Sequence, residues 1–236
     1  MKTIDAERLT PDDPEYPMSL RATFGDLLPP EIWYLGNINL LSTIGAGFCG
    51  SRKATEYSLQ IAADCASQLT AAGVTVISGY AAGVDMASHE AALANGGRTI
   101  IVLPEGTNRF RIKQSIAPVW DWRRVLVISH FPRDARFQPG RAMDRNKIIV
   151  ALSGAVIVLE AREVGGTLNA GYAALRMKKP LFVVMYDDVN GLREGNQRLI
   201  SAGGFPLKRN RLTNHPQLRD VFDVLGVVDD AGRKHA

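Results

Sequence analysis

Short apolar segments that alternate with helical segments constrain the fold of this chain more than any other feature. The apolar segments have the length and composition of strands buried on both faces, and they lie at 42–49, 74–77, 99–103, 125–129, 155–159 and 181–185. Segments with helical periodicity separate them, at 55–72, 84–94, 144–152 and 168–177. Strands joined through helices pair in parallel, so the pattern predicts a doubly wound, mostly parallel α/β sheet, an extended Rossmann-like fold.

The same alternation predicts how the 236 residues are divided. Residues 1–40 are rich in proline and polar residues, and we expect a lead-in or cap segment without a core of its own. Residues 41–213 carry the alternation and are expected to form the Rossmann-like domain. Residues 214–236 are expected to form one short amphipathic helix and a charged tail.

Several classes of protein are disfavoured by composition. The two cysteines, Cys49 and Cys65, are too few for a disulfide framework or a cysteine-type zinc site, and no metal-ligand cluster is evident. The longest apolar-leaning run, 148–159, is too short to span a bilayer. The first 16 residues lack the apolar core of a signal peptide. We therefore expect a cytoplasmic protein with no membrane association.

Positive charge is concentrated in one part of the chain. The net charge is only +4, but the segment 109–147 holds ten Lys and Arg against three Asp and Glu, a local charge of +7. Phe131 and Phe137 lie among these charges, and basic residues interleaved with aromatic rings suit single-stranded nucleic acid. The alternative is a solvated loop whose charges pair elsewhere and whose rings anchor it to the core.

The sequence 45–50 reads G-x-G-x-x-G, the pattern of a dinucleotide site. Its context is poor, because Gly45 and Gly47 lie inside the first predicted strand. The next strand ends at 78–80 without the acidic residue that would hold a ribose hydroxyl. The motif therefore does not indicate an NAD or FAD site, and we expect no cofactor.

Three glycine-rich loops do indicate anion binding, since each joins a strand end to a helix start. Their predicted phosphate-facing residues are Gly50, Ser51, Arg52 and Lys53 in the first, Gly79 in the second, and Gly165, Gly166 and Thr167 in the third. Glycine has no side chain, so a phosphate can approach the backbone closely, and the Arg52 guanidinium can donate two hydrogen bonds to that phosphate. For the first loop, the alternative is an ordinary helix start with Ser51 or Thr55 as N-cap.

No catalytic arrangement is evident. Asp85 and His89 share a helix face, and we expect Asp85 to stabilise the helix N-terminus and His89 to pair with it. No nucleophile stands beside them, and the sequence holds no Ser-His-Asp order, paired catalytic carboxylates or Walker A motif. The sequence therefore favours a binding protein over an enzyme.

Motifs along the chain resemble the DNA-processing protein A (DprA/Smf) family. They occur in order at 16–20, 50–55, 78–89, 99–103, 144–153, 165–170 and 195–200. The resemblance covers about residues 15–207. It implies a homodimer that binds single-stranded DNA with little sequence preference. It also implies help in loading a RecA-type recombinase during recombination and natural transformation (competence), without enzyme activity.

When the family's DNA-binding positions are transferred to this sequence, the resemblance implies a DNA pocket formed by the loops at 50–53 and 165–167, by Gly79 and by residues of one helix. The helix residues are Arg145 and Asn146, and Lys147 beside them stands where the family has Arg. These positions agree with the loops selected above on physical grounds.

The chain departs from the family pattern at several positions. Ala82 replaces a usual Arg and His130 a usual Glu. Ala142 and Met143 replace a Phe-Pro pair, which removes an expected stacking ring that Phe137 could replace. Many members of the family carry a C-terminal winged-helix domain, which we do not expect in this sequence. These changes bear on DNA binding more than on the fold.

The alternative is a nucleotide sensor or phosphoribohydrolase of the related LOG-like superfamily, whose signature is Pro-Gly-Gly-x-Gly-Thr-x-x-Glu. Alignment of Gly166 and Thr167 with its Gly-Thr puts Ala170 at the position of the acid. Hydrolysis would then lack its acid/base group. A nucleotide sensor, which needs binding only, stays open.

Overall fold

The computed structural model describes residues 5–24, 31–186, 194–210, 212–213 and 215–228. Within these ranges lie nine strands and seven α-helices. The strands are β1 (Glu7–Leu9), β2 (Ile32–Gly36), β3 (Gly45–Gly50), β4 (Thr75–Ser78), β5 (Thr99–Val102), β6 (Val125–Ser129), β7 (Ala155–Leu159), β8 (Leu181–Val184) and β9 (Phe205–Leu207). The helices are α1 (Met18–Phe24), α2 (Glu56–Ala71), α3 (Val84–Ala94), α4 (Pro139–Leu152), α5 (Gly166–Arg176), α6 (Glu194–Ser201) and α7 (Arg219–Leu225).

All nine strands form one sheet in the order β1-β2-β6-β5-β4-β3-β7-β8-β9. Strands β3 to β9 pair in parallel, whereas β1 and β2 pair antiparallel at one edge. From the central pair β3 and β7 the strand order proceeds outward on both sides, through β4, β5 and β6 on one side and through β8 and β9 on the other. The predicted doubly wound, mostly parallel fold is therefore confirmed. In such sheets the crevice at the reversal of strand order is the usual place for a ligand.

Helices cover both faces of the sheet. Residues of α1, α4, α5 and α6 pack in one apolar cluster, and residues of α2, α3 and α7 pack in a second cluster. The five residues of β7 are all buried, because helices lie on both sides of it. This burial explains why the strands read as unbroken apolar segments instead of alternating ones.

The glycines of the G-x-G-x-x-G pattern serve packing within β3. A Cβ at Gly45 would overlap the Ile77 side chain, and one at Gly47 would overlap the Ser153 hydroxyl. Both positions lie inside the strand, as predicted. The pattern is thus explained by close packing around the central strand.

Several features of the fold differ from the predicted pattern: strands β1, β2 and β9 and helix α6 are additional, and α4 begins earlier. Helix α4 begins at Pro139, five residues before the predicted start. Proline is favoured at the first position of a helix, but the first turn has no apolar periodicity that would predict a helix. The sequence patterns do not predict strands β1 and β2, yet β2 extends the sheet by pairing with β6. The segment predicted as a lead-in therefore contributes strands to the sheet, while the domain boundaries at residues 40 and 213 stay a prediction.

The predicted C-terminal helix is present as α7, which buries Val221, Phe222 and Leu225 in the second cluster. The charged tail after residue 228 lies outside the described residues, as do residues 1–4 and 25–30 of the predicted lead-in segment.

Candidate nucleic-acid interface

A pocket of about 560 Å³ lies at the carboxyl ends of β3 and β7, where the strand order reverses. Its walls come from the loop after β3, the loop after β7 and the N-terminal half of α4. Nine of the eleven predicted site residues line it: Gly50, Ser51, Arg52, Lys53, Arg145, Asn146, Gly165, Gly166 and Thr167. Gly79 and Lys147 do not line it, and the assignment of all eleven as ligand-binding residues stays a prediction.

The loop after β3 presents two cations to the pocket. Gly50 lies against Val84, so closely that a Cβ would overlap the Val84 side chain. The Ser51 hydroxyl accepts a hydrogen bond from the Lys53 N–H at 3.1 Å, which turns the chain. Thr55 is the N-cap of α2, accepting from the Ser58 N–H. Arg52 and Lys53, both exposed, are thus left outside the helix at the pocket wall.

The loop after β7 supplies a helix N-terminus. Gly165 has a φ of +134°, a conformation that favours glycine, and it is the N-cap of α5, so no side chain caps the helix N–H groups. The first turn of α5 contains no acidic residue, so the positive end of its dipole is not neutralised within the helix. The Asn146 amide donates to the Gly166 carbonyl at 3.2 Å and ties α4 to this loop. The arrangement can bind an anion through backbone N–H groups.

Arg145 lies in the pocket floor instead of on an open surface. The residue is 5% exposed, and its guanidinium forms an ion pair with the buried Asp85 at 3.7 Å. A Cβ at Gly79 would overlap this guanidinium, so glycine there makes room for Arg145. The geometry gives Gly79 and Arg145 a structural role that the sequence analysis did not predict.

The predicted pairing of His89 with Asp85 is wrong. His89 Nδ1 lies 2.6 Å from the Thr99 hydroxyl and Nε2 lies 2.6 Å from the Gly79 carbonyl oxygen. Asp85 instead accepts from the Ser78 hydroxyl and the Ala81 N–H before α3, which confirms its predicted role at the helix N-terminus. The spacing put both residues on one helix face, but only the fold determines which neighbours each one meets.

Two histidines, the buried His89 and the partly buried His130, should make stability depend on pH. Burial lowers the pKa of His89 and of His130 to about 4, because it disfavours the imidazolium form. In the unfolded chain both histidines are protonated with a pKa near 6.5, whereas in the folded protein they stay neutral down to about pH 4. The free energy of unfolding therefore decreases as the pH falls from 6.5 toward 4. Each histidine should cost about 2 kcal/mol at pH 5 relative to pH 7.

Urea unfolding of the wild type and of His130→Phe at the two pH values checks this expectation. The variant removes one titrating group, whose Nδ1 atom is buried without a hydrogen-bond partner in the described structure. Its loss of stability between pH 7 and 5 should be smaller than that of the wild type by about 2 kcal/mol. Equal losses in both proteins would contradict the assignment.

Most of the basic segment 109–147 does not reach the pocket. Arg123 and Arg124 pair with Asp121, Lys147 pairs with Asp144, and Lys113 donates to the Tyr80 carbonyl. Among the described pocket residues, the exposed cations are Arg52, Lys53 and Arg162, which all lie outside that segment. Local charge in the sequence therefore does not identify the cations at the site.

The two phenylalanines of that segment have different positions. Phe137 is 46% exposed and lines the pocket beside Ala142 and Met143, with the Arg52 guanidinium 5.9 Å from its ring centre. Phe131 is half-buried beneath Arg141 and lies 3.9 Å from the His130 ring. Phe137 thus occupies the wall where the family's missing ring is expected, whereas Phe131 packs its own loop.

Sequence reasoning missed Glu160 and Arg162, which line the pocket immediately after β7. Their position at the end of a central strand was the available signal, because switch-point ligands contact such residues. The described residues contain no group of three or more His, Cys, Asp and Glu side chains placed to hold a metal ion. They also contain no helix with the length and hydropathy needed to cross a membrane.

The fold and the pocket together define a doubly wound α/β protein whose switch point is lined by a helix N-terminus, exposed cations and an aromatic ring. The family model for DNA recombination-mediator protein A matches residues 7–213. The chain belongs to this family of DNA-processing proteins, and the resemblance found in the sequence is confirmed.

Relatives and solved structures agree with this membership. Protein Smf of Synechocystis sp. is 30% identical over 225 residues, which cover 84% of this chain and 54% of that protein. The crystal structure of DprA from Streptococcus pneumoniae superposes with a TM-score of 0.77 at 28% identity, covering 85% of this chain and 70% of that one. This chain therefore spans about half the length of the Synechocystis relative.

A structure of DNA processing protein A from Helicobacter pylori, described for its single-stranded DNA binding mode, has the same fold. Its TM-score is 0.76 at 23% identity, and the match covers 94% of this chain and 95% of that one.

Proposed function

We propose that this protein binds single-stranded DNA in the switch-point pocket as part of DNA recombination. The observation that carries the proposal is the convergence of two anion-binding loops, 50–53 and 165–167, on one pocket with Phe137 in its wall. Cations and helix N–H groups suit the phosphates, and an exposed ring suits a base. Family membership and the DNA-binding mode described for the Helicobacter pylori protein support the same role.

The pocket supports binding better than cleavage. Three of the four oxygens of its two buried carboxylates already accept hydrogen bonds from the protein, both oxygens of Asp85 at the start of α3 and one oxygen of Glu160 from Thr55. No histidine lines the pocket within the described part of the chain, so a nucleophile would lack its usual general base. We therefore propose a non-enzymatic role.

The proposal extends to partners and location on the strength of the family alone. The protein would act in the cytoplasm as a homodimer and help load a RecA-type recombinase onto bound DNA, including DNA taken up during natural transformation. Light scattering coupled to size exclusion tests the homodimer, and a strand-exchange assay with the recombinase tests loading. A monomer, or strand exchange that the protein does not change, would reject the corresponding part of the proposal.

Removing the two exposed cations of the first loop should weaken DNA binding at every sequence. The slope of log affinity against log salt should fall by about 0.7 for each phosphate of a single strand that is no longer neutralised, so Arg52→Ala with Lys53→Ala should lower it by about 1.4. Fluorescence anisotropy at several salt concentrations, with a labelled strand of about 20 to 35 nucleotides, measures the slope.

The matched control removes two charges from the other end of α5. Arg176→Ala with Lys178→Ala also deletes two exposed cations but leaves the pocket untouched, and it should leave the slope as in the wild type. Unchanged affinity after charge reversal of Arg52 and Lys53 to Glu would place the DNA elsewhere. Displacement of the strand by a mononucleotide at low concentration would instead favour the nucleotide-sensor alternative.

A further inference from the structure

The pocket floor holds a carboxylate that the proposed phosphate contacts do not use. Glu160 follows β7, is 4% exposed and lines the pocket beside both anion-binding loops. Its φ of +47° is uncommon for a residue other than glycine. A negative charge at this place repels phosphate, so a purely phosphate-binding pocket gains nothing from it.

One oxygen of this carboxylate is held and the other is open. Oε2 accepts from the Thr55 N–H at 2.9 Å and from the Thr55 hydroxyl at 3.0 Å. Among the residues that the structure describes, none donates a hydrogen bond to Oε1 or forms an ion pair with Glu160. Since Thr55 restrains Oε2, the carboxylate presents Oε1 as an acceptor in a restricted direction. Oε1 is not one of the solvent-inaccessible atoms without a partner in the described structure, so it is accessible from the pocket, where a ligand can donate to it.

The charged residues that line the pocket around this acceptor divide into buried and exposed ones. Two other charged residues in the pocket lining are buried, Asp85 and Arg145. They form an ion pair with each other, so Arg145 is not paired with Glu160. The exposed cations Arg52 and Lys53 and the N-terminus of α5 form the outer wall. Phosphates are therefore attracted to the outer wall, and the floor is suited to a neutral group that donates a hydrogen bond.

We propose that Oε1 of Glu160 accepts a hydrogen bond from the amino group of an inserted DNA base, so that the pocket prefers cytosine to thymine. The inference rests on the proposed function, since it assigns the base that the same pocket takes. Cytosine presents an amino group at the ring position where thymine presents a carbonyl oxygen, which a carboxylate repels. Phe137 in the wall offers a face for either ring and does not distinguish them.

The test compares unlabelled oligomers of dC, dT and dU, each of about 20 nucleotides, as competitors for a labelled mixed-sequence strand at neutral pH. The wild type should bind the dC oligomer about tenfold more tightly than the dT and dU oligomers. The dU oligomer carries the carbonyl without the methyl group, so it separates the hydrogen bond from any effect of the methyl.

Glu160→Gln should reverse the preference. The Gln oxygen can accept both Thr55 hydrogen bonds, which turns the amide NH₂ toward the pocket as a donor. This donor pairs with the thymine or uracil carbonyl and opposes the cytosine amino group. The control Glu163→Gln removes an exposed carboxylate three residues away, outside the pocket lining, and should keep the wild-type ratio.

Equal binding of the three oligomers by the wild type, or an unchanged ratio in Glu160→Gln, would overturn this inference and leave the proposed function intact. Failure of the wild type to bind any single strand would reject the proposed function and this inference with it. The comparison of oligomers on the wild type needs no variant, so the inference is testable even if Glu160→Gln does not fold.

Discussion

Replacement of Arg145 by methionine is expected to lower the free energy of unfolding by about 4 kcal/mol. The substitution leaves the Asp85 carboxylate buried without the guanidinium that lies 3.7 Å from it. Removal of one partner from a buried ion pair is costly because the remaining charge loses its counter-charge, and Asp85 would keep only its hydrogen bonds from Ser78 and Ala81. Urea unfolding followed by circular dichroism measures the loss.

Two further variants separate this mechanism from other effects. Lys147→Met breaks the ion pair with Asp144 on the same helix, and both of those side chains are about half exposed, so it should cost less than about 1 kcal/mol. The double variant Asp85→Asn with Arg145→Met removes both buried charges and should be more stable than Arg145→Met alone.

The alternative role of Arg145 gives a different result. If Arg145 acts only as a phosphate ligand, its replacement should weaken DNA binding and change the salt slope without lowering stability. A stability within about 1 kcal/mol of the wild type would contradict the structural role that we assign to the buried pair.

Gly83→Ala is expected to cost about 3 kcal/mol and to weaken DNA binding as well. Gly83 has a φ of +82° and a ψ of −133°, a region that residues with a Cβ rarely adopt. Its Cβ would overlap the backbone carbonyls of Ser51 and Arg52, which cannot move without displacing the anion-binding loop. The measurements are urea unfolding and anisotropy with a labelled single strand.

Gly96→Ala is the matched control, at the other end of the same helix. Gly96 has a φ of +76°, but a Cβ there would meet nothing within 4 Å, so its cost should be near 1 kcal/mol, the strain of the left-handed backbone alone. The difference between the two variants reports the contact with the loop together with the greater backbone strain at Gly83. If Gly83→Ala binds DNA as tightly as Gly96→Ala does, the loop position does not control binding.

Local sequence patterns predict much of the fold without any knowledge of tertiary contacts. Helix α3 occupies its predicted range, because apolar periodicity and a terminal asparagine-glycine pair define both ends. Strands β6 and β7 also match, because the residues buried on both faces are apolar throughout. The family motifs are local as well, and they identify the loops that converge on the pocket.

Edge strands and the start of α4 depend on neighbours. Strand β2 pairs with β6, far along the chain, and its run of only four apolar residues beside a proline-rich segment is not distinguished from the lead-in by the sequence pattern. The start of α4 at Pro139 lies in a charged segment that shows no apolar face. Local patterns are weakest where long-range pairing or a single proline decides the structure.

The sequence by itself determined the central strands and the helices between them, their parallel pairing and the loops at the strand ends, because those depend on residue type and spacing along the chain. Only the tertiary structure decided what each charge meets. Arg145 faces Asp85, His89 faces Thr99 and Gly79, and Glu160 anchors Thr55 while lining the pocket. Electrostatic and hydrogen-bond partners act over a few ångströms in space, whereas Thr55 and Glu160, for example, are 105 positions apart along the chain.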